Sequence, residues 1–167
     1  EDLRALVPHG WPRDPEGRPL EIRKVDPADD EALRLHTDVA GSGFRAEGTP
    51  PTEIELATAR RVARDPRTEL YLAWFGDTPV AGGGMALHPN VATLFGLSTL
   101  PAFRRRGVQA ALIVARLERA RAAGIPLATI GSEPGIPTER NAMRLGFRVA
   151  YTKVILRKPE PGLARSL

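Results

Sequence analysis

The 167-residue sequence contains no cysteine. This excludes a disulfide framework, a thiol nucleophile and any thiolate-bound zinc or iron–sulfur centre. Histidine is scarce as well. His9, His36 and His88 lie far apart and none has helical metal-ligand spacing, so no metal is expected. No apolar run approaches the roughly 18 residues that a membrane span requires, and no membrane partner is expected. Aromatic residues amount to only 5%. The basic stretch described below therefore has few aromatic neighbours, which weakens a nucleic-acid reading. Lysine is rare too, 3 residues against 21 arginines. A GC-rich coding sequence accounts for that bias as well as any function does.

What is present is 42% apolar and 26% charged residues. That is a globular composition, long enough for one domain with a hydrophobic core. The net charge of +4 hides an asymmetry. Residues 1–100 carry 16 acids against 11 bases, and residues 101–167 carry 4 acids against 13 bases. The basic part suits a phosphate-bearing ligand and the acidic part a cationic partner; uneven surface solvation is the plainer alternative.

The chain opens on Glu1, with no basic-then-apolar targeting pattern. Residues 8–19 (PHGWPRDPEGRP) read as a linker or extended arm, and a linker so early suggests a preceding domain. Trp11 within it either docks on the domain surface or belongs to a mobile tail. The organisation expected is an arm over 1–20, one domain over 21–160 and a tail over 161–167.

Residues 21–25 read as a strand. A helix is expected to begin at Asp26-Pro27, with Asp29, Asp30 and Glu31 at its positive end. Thr52 with Glu55 forms a capping box for a second helix, which runs to about Arg64. Residues 70–75, 80–87 and 91–99 read as three sequential strands joined by tight turns. Gly82, Gly83 and Gly84 inside the middle one signal a bulge or a close approach by another backbone. A long helix follows over 108–123, apolar nearly all round at first and emerging at Arg116, Glu118, Arg119 and Arg121. A strand over 126–131, a short helix over 138–145 and a final strand or strands over 147–156 complete the order β-α-α-β-β-β-α-β-α-β. The strand–helix–strand crossover makes the strand after the long helix parallel to the one before it. The fold class is mixed α/β (α+β), with helices on both faces of the sheet.

The informative segment runs from the strand over 92–100 through Arg104-Arg105-Arg106-Gly107-Val108-Gln109-Ala110 into the long helix. A glycine at a helix entrance lets a ligand approach the backbone. The free N–H groups and the helix dipole then favour an anion, and three arginines add charge. Pyrophosphate or another phosphate ester is the natural guest. A nucleic-acid patch and a merely solvated helix end remain alternatives. Neither Gly-x-x-x-x-Gly-Lys-Ser/Thr nor Gly-x-Gly-x-x-Gly is present, and Gly96-Leu97-Ser98-Thr99-Leu100 is not a hydrolase nucleophile elbow.

The segment resembles the pyrophosphate motif of the GCN5-related N-acetyltransferases (GNAT), Gln/Arg-x-x-Gly-x-Gly/Ala. The matches are the preceding Pro101, then Arg104, Gly107 and the helix that follows. Gln109 departs from the pattern, standing where the family has Gly or Ala, and Ala110 comes one later. Leu145-Gly146-Phe147 matches the end of the family's last helix, and the element order matches from Glu21 on. The stretch from Ser132-Glu133-Pro134-Gly135 through Asn141 to Arg148 and Tyr151-Thr152 looks like a bacterial branch in which such a domain closes a longer protein. The resemblance implies a central mixed sheet of six to seven strands flanked by about four helices.

It also implies an acetyl-CoA-dependent N-acetyltransferase of the cytoplasm, needing no metal, in a family that often forms homodimers. Leu97, Ser98 and Thr99 offer backbone groups to the pantetheine arm, one N–H acting as oxyanion donor. Arg104, Arg105, Arg106, Gly107, Val108, Gln109 and Ala110 hold the pyrophosphate. Asn141 either reaches the pantetheine or caps local backbone. The acceptor is an amine of a small molecule or peptide, and the acidic part favours a cationic one. Its proton must be removed before attack. Glu133 is one candidate base, or else a solvated loop carboxylate; His88 and Glu47 are poorer. The family's general-acid tyrosine falls at Ala142 here. Tyr151 is the nearby phenol, or else a strand aromatic packed on the core. The missing tyrosine and Gln109 favour a rival, a CoA-binding or scaffold domain without chemistry. A nucleic-acid-binding module is a third reading.

Overall fold

The computed structural model describes residues 11–154. Expectations for residues 1–10, for the tail over 161–167 and for the end of the last strand lie outside the described residues. The elements are β1 (Leu20–Lys24), α1 (Asp30–Gly41), α2 (Glu53–Ala63), β2 (Thr68–Phe75), β3 (Thr78–His88) and β4 (Val91–Thr99). After a 3₁₀ turn (Pro101–Phe103) come α3 (Val108–Ala122), β5 (Ala128–Ile130) and α4 (Pro137–Arg144). The sheet runs β1-β2-β3-β4-β5. The first four strands are antiparallel neighbours and β5 is parallel to β4.

Local chemistry accounts for most boundaries. The Thr52 hydroxyl accepts from the Glu55 N–H at 3.2 Å while the Glu55 carboxylate accepts from the Thr52 N–H at 2.7 Å, a reciprocal capping box. Gly124 turns left-handed (φ +74°) where α3 ends. Two expectations are corrected here. The first helix begins at Asp30 rather than at Asp26-Pro27. The Asp29 side chain caps the N–H of Ala32, and Asp26 instead closes a turn by accepting from Ala28. Residues 147–154 form no strand, so the described residues hold five strands rather than six or seven. A strand exists through its ladder, and β5, confined between Pro126 and Gly131, is only three residues long.

Hydrophobic layers lie on both faces. Phe75, Val80, Met85, Leu112 and Ile113 are sealed between the sheet and α3. Leu33, Val39, Ala63, Leu70 and Leu72 pack α1 and α2 against the other face. Each such buried Val, Leu, Ile, Phe or Met side chain contributes about 1.5–3 kcal/mol. Arg116 corrects a third expectation: it is 0% exposed, inside the α3 layer rather than on an emerging turn.

The three glycines of β3 serve both faces. A Cβ on Gly82 would stand 3.0–3.2 Å from Ala40 of α1, and one on Gly84 would strike the Phe95 ring at 2.3 Å. One on Gly83 would meet the Arg116 guanidinium at 3.0 Å. The close approach is realised at Ala40, and the register slips opposite Gly83 with the extra residue on β4 rather than among these glycines.

Residues 11–19 lie against the domain. Pro12 O accepts from the Leu20 N–H at 2.8 Å, and the buried Asp14 carboxylate accepts from the N–H and Nε of Arg18. Pro12 Cγ comes within 3.4 Å of where a Gly107 Cβ would stand, while Trp11 stays 45% exposed. No helix of the described residues is long and apolar enough to cross a membrane.

Candidate active site

The site begins where β4 and β5 part. They pair only as Ala92↔Ala128, Thr93↔Thr129 and Leu94↔Ile130, and β4 runs on alone to Thr99. A bulge bends it there. Phe95 pairs with Gly84 and Ser98 with Gly82, leaving Gly96 and Leu97 opposite Gly83. Gly96 has φ +59°, the conformation that a glycine-first bulge demands. Leu100 donates to Val80 O at 2.9 Å, toward β3. Strand alternation therefore turns the backbone groups of Leu97 and Thr99 the other way, toward the side that β5 has left.

The basic loop closes one end of this opening. Arg104 Nε donates to Thr99 O at 3.1 Å, tying the loop to the strand. Arg105 (φ +61°) and Gly107 (φ +78°) are both left-handed. Arg104, Arg105, Arg106 and Gly107 are exposed, Val108 is buried, and Gln109 and Ala110 are half-buried. The Arg106 guanidinium lies 5.6 Å from the Phe103 ring centre. No side chain caps the start of α3. The first N–H groups of a 15-residue helix thus face an arginine-lined surface, a combination suited to an anion.

Gln109, the departure from the motif, points elsewhere. Its Nε2 donates to Thr138 Oγ1 at 3.1 Å and its Oε1 accepts from Asn141 Nδ2 at 2.5 Å. The extra bulk joins α3 to α4 instead of filling the helix mouth, and Asn141 is engaged there.

The loop after α1 reaches β4 at Ser98. Ser98 is buried and its hydroxyl accepts from the Gly43 N–H at 3.2 Å. Arg45 organises the loop. It pairs with Asp38 at 2.9 Å and Glu55 at 3.2 Å and donates to the carbonyls of Thr37, Asp38 and Thr49. Two acids of the acidic half are thereby neutralised. Phe44 and Glu47 stand exposed on the same loop. Thr99 Oγ1 is buried without a hydrogen-bond partner among the described residues.

The structure thus brings Leu97, Ser98 and Thr99 together with Arg104 at the end of β4, while Gln109 and Asn141 meet at the contact of α3 with α4. Glu133 is exposed on the loop after β5, where Ser132 Oγ donates to its carbonyl at 3.2 Å. Tyr151 is 80% exposed, so it is not packed on the core. Among the described residues, no hydrogen bond or ion pair links either of them to the bulge or the basic loop. His88 is half-buried at the end of β3, and Ala142 is buried at the expected tyrosine position. Buried His36 lies with Nε2 3.3 Å from Gly83 O, and burial pushes its pKa down to about 4. No three His, Cys, Asp or Glu gather as a metal group among the described residues. The sequence reading missed the Gly96 bulge, the Gly43–Ser98 contact and Arg116. For Arg116 a signal existed: it follows Leu112 by four residues and Ile113 by three, on the helix stripe that faces the sheet.

Comparison with known proteins fits this geometry. Residues 30–147 match the model of the acetyltransferase (GNAT) family. None of the curated proteins matches the chain by sequence. Among solved structures, one similar chain is AAC(6')-Iy in complex with the bisubstrate analogue CoA-S-monomethyl-acetylneamine. It has a TM-score of 0.68 at 18% identity, covering 84% of this chain and 98% of that one. Another is an aminoglycoside acetyltransferase from an uncultured soil metagenomic sample in complex with sisomicin. Its TM-score is 0.66 at 12% identity, with 85% and 96% covered. A Trypanosoma brucei acetyltransferase reaches 0.65 at 21% identity, with 83% and 99% covered. At these identities the structural likeness speaks for the fold, and the family match reaches from α1 to Phe147 across the bulge and the basic loop: the chain belongs to the GNAT acetyltransferase family.

Proposed function

We propose that the domain transfers an acetyl group from acetyl-CoA to a primary amine of a small molecule or peptide. The carrying observation is the junction of the unpaired β4 edge beyond Leu94 with the uncapped start of α3 at Gly107. The residues present fit acetyl-CoA. Exposed arginines and free helix N–H groups suit a pyrophosphate. The backbone groups of Leu97 and Thr99 suit an amide-bearing arm, and the orphaned Thr99 hydroxyl lies beside them. When bound, acetyl-CoA supplies an already activated acyl group. What the chain must add is orientation and removal of a proton from the amine.

Leu97, Ser98 and Thr99 orient the arm, and Arg104–Ala110 hold the phosphates. Asn141 acts through Gln109, fixing the first turn of α3. Glu133 is the candidate base, free on its loop to accept a proton from an incoming ammonium. The acceptor we favour is a cationic amine. The aminoglycoside complexes among the similar structures and the exposed Glu47 and Phe44, on the loop that reaches Ser98 through Gly43, support that class.

The test is thermal unfolding with and without acetyl-CoA for wild type, Gly107→Ala and Gly107→Glu. Ligand at about 100 times its Kd stabilises by about 2.7 kcal/mol, a rise of several degrees for a domain of this size. Gly107→Ala carries the left-handed strain alone, so it should unfold at a lower temperature and keep the rise. Gly107→Glu adds bulk and negative charge and should lose it. No rise in folded wild type would remove acetyl-CoA from the reading. An amine screen with thiol detection then separates transfer from CoA binding without chemistry, the alternative favoured by Ala142 at the tyrosine position.

A further inference from the structure

Among the described residues, a buried cation lies beneath the bulge with no carboxylate paired to it. Arg116 is 0% exposed. Its Nε donates to Leu112 O within α3 at 3.0 Å. Its Nη1 donates to Gly84 O at 2.8 Å and reaches Phe95 O at 3.4 Å. Nη2 has no hydrogen-bond partner among the described residues. Burial lowers the guanidinium to about 10, so it remains charged at neutral pH. The acid on the same side, Glu69, is engaged by Tyr71, Lys24 and Arg119.

For packing alone this is a poor choice. Burying an ion without a counter-ion costs several kcal/mol, and a Leu or Met would fill a layer built of Leu112, Ile113 and Met85. The chain nevertheless makes room for it. Gly83 leaves its face bare where a Cβ would stand 3.0 Å from Nη1 and 3.2 Å from Cζ.

The two carbonyls that Arg116 holds are not arbitrary. Gly84 and Phe95 are register partners, the last pair of β3 and β4 before the extra residue enters. A bulge leaves ladder groups without their regular partners, and an unpaired buried carbonyl is costly. The guanidinium supplies donors to both strands where the register slips.

We infer that Arg116 is a positioning residue: by holding the carbonyls of Gly84 and Phe95 it fixes the Gly96–Leu97 bulge, and so sets where Leu97 and Thr99 present their backbone groups to the opening between β4 and β5. The catalytic consequence rests on the proposed transfer; the pinning of the bulge rests on this geometry alone.

The experiment compares wild type with Arg116→Met, Arg116→Lys and Gly83→Ala. Amide hydrogen exchange at Gly96, Leu97 and Ser98 is measured against the amides of β1 and β2, together with acetyl-CoA binding by calorimetry and kcat and KM. In Arg116→Met, exchange at the bulge should rise about tenfold beyond any change in β1 and β2, the scale of one lost charge-assisted hydrogen bond. Acetyl-CoA should bind more weakly by a similar factor, and kcat should fall. Arg116→Lys, which keeps the charge and a donor, should recover part of each. If Arg116→Met does not fold, Gly83→Ala decides: its Cβ displaces the guanidinium from the Gly84 carbonyl, and exchange at the bulge should again rise beyond that of β1 and β2. Exchange at the bulge that rises only in step with β1 and β2, with acetyl-CoA affinity unchanged, would overturn the inference and leave Arg116 a packing residue. If wild type itself neither binds acetyl-CoA nor turns over, the proposed function fails, while the exchange pattern still decides the pinning.

Discussion

The Gly43 N–H donates to the Ser98 hydroxyl at 3.2 Å, and a Cβ on Gly43 would stand 2.6 Å from that oxygen. Only a glycine lets the loop after α1 come so near the end of β4. The contact joins the loop that carries Phe44 and Glu47 to the strand that carries the bulge. Ser98→Ala removes it and leaves the strand backbone intact. The KM for a cationic amine should rise about fivefold, the worth of roughly 1 kcal/mol, with the KM for acetyl-CoA little changed. Steady-state kinetics on both substrates checks this; a change confined to acetyl-CoA would contradict the placement of the loop at the acceptor side.

Gln109 should matter for stability more than for ligand binding. Its amide bonds both Thr138 and Asn141. Gln109→Ala breaks both and should cost about 1–2 kcal/mol, a fall of several degrees in Tm. The stabilisation by acetyl-CoA should survive, because the side chain points to α4 rather than to the helix mouth. Loss of the acetyl-CoA shift in a folded Gln109→Ala would show that the amide touches the ligand.

Glycines of similar sequence context should differ sharply on substitution by alanine. Gly82→Ala forces a Cβ against the Ala40 backbone at 3.1–3.2 Å, and neither α1 nor β3 can yield without unpacking. A loss of about 1–3 kcal/mol is expected. Gly131→Ala meets nothing within 4 Å and has no left-handed φ, so it should be within about 0.5 kcal/mol of wild type. Chemical denaturation of the two variants tests the contrast.

His36 makes stability depend on pH in a defined window. Burial holds its pKa at about 4 against an ordinary 6.5. Below about pH 6.5 the unfolded chain takes up a proton that the folded chain refuses, so stability falls as pH drops toward 4. Under about pH 4 both states are protonated and the loss levels off, at about 3 kcal/mol in all. Glu69 acts at lower pH. Burial raises its carboxyl, but the hydrogen bonds of Tyr71, Lys24 and Arg119 outweigh this and leave it below the usual 4.5. Its contribution is present above pH 4.5 and lost as pH falls through the lower folded value. In His36→Gln, Tm should flatten between pH 6.5 and 4.5 and keep its decline below. An unchanged slope in the upper window would show that His36 is not the group responsible.

Which features could be read from the chain follows from how local their causes are. The Thr52–Glu55 box, the extent of β4 at Val91–Thr99 and the left-handed Gly124 each depend on a few neighbouring residues, and each was legible. The basic loop before α3 was legible for the same reason. The start of α1 was misread because two aspartates compete to cap the backbone three residues apart, and the hydrogen-bonding geometry favours Asp29. The last strand was expected from the run of residues alone, but a strand exists only through its ladder, and residues 147–154 pair with none.

By itself, then, the sequence determined the order of elements from β1 to α4 and the basic, glycine-containing entrance to α3. Those rest on periodicity, capping and charge, which act over a turn or two of chain. The tertiary structure decided what surrounds the end of β4: the slip of register at Gly96, the seat of Gly43 on Ser98, the engagement of Gln109 by Asn141, and the burial of Arg116 against Gly83. Each joins residues between 11 and 55 positions apart, and only tertiary pairing and packing bring such distant groups within hydrogen-bond reach.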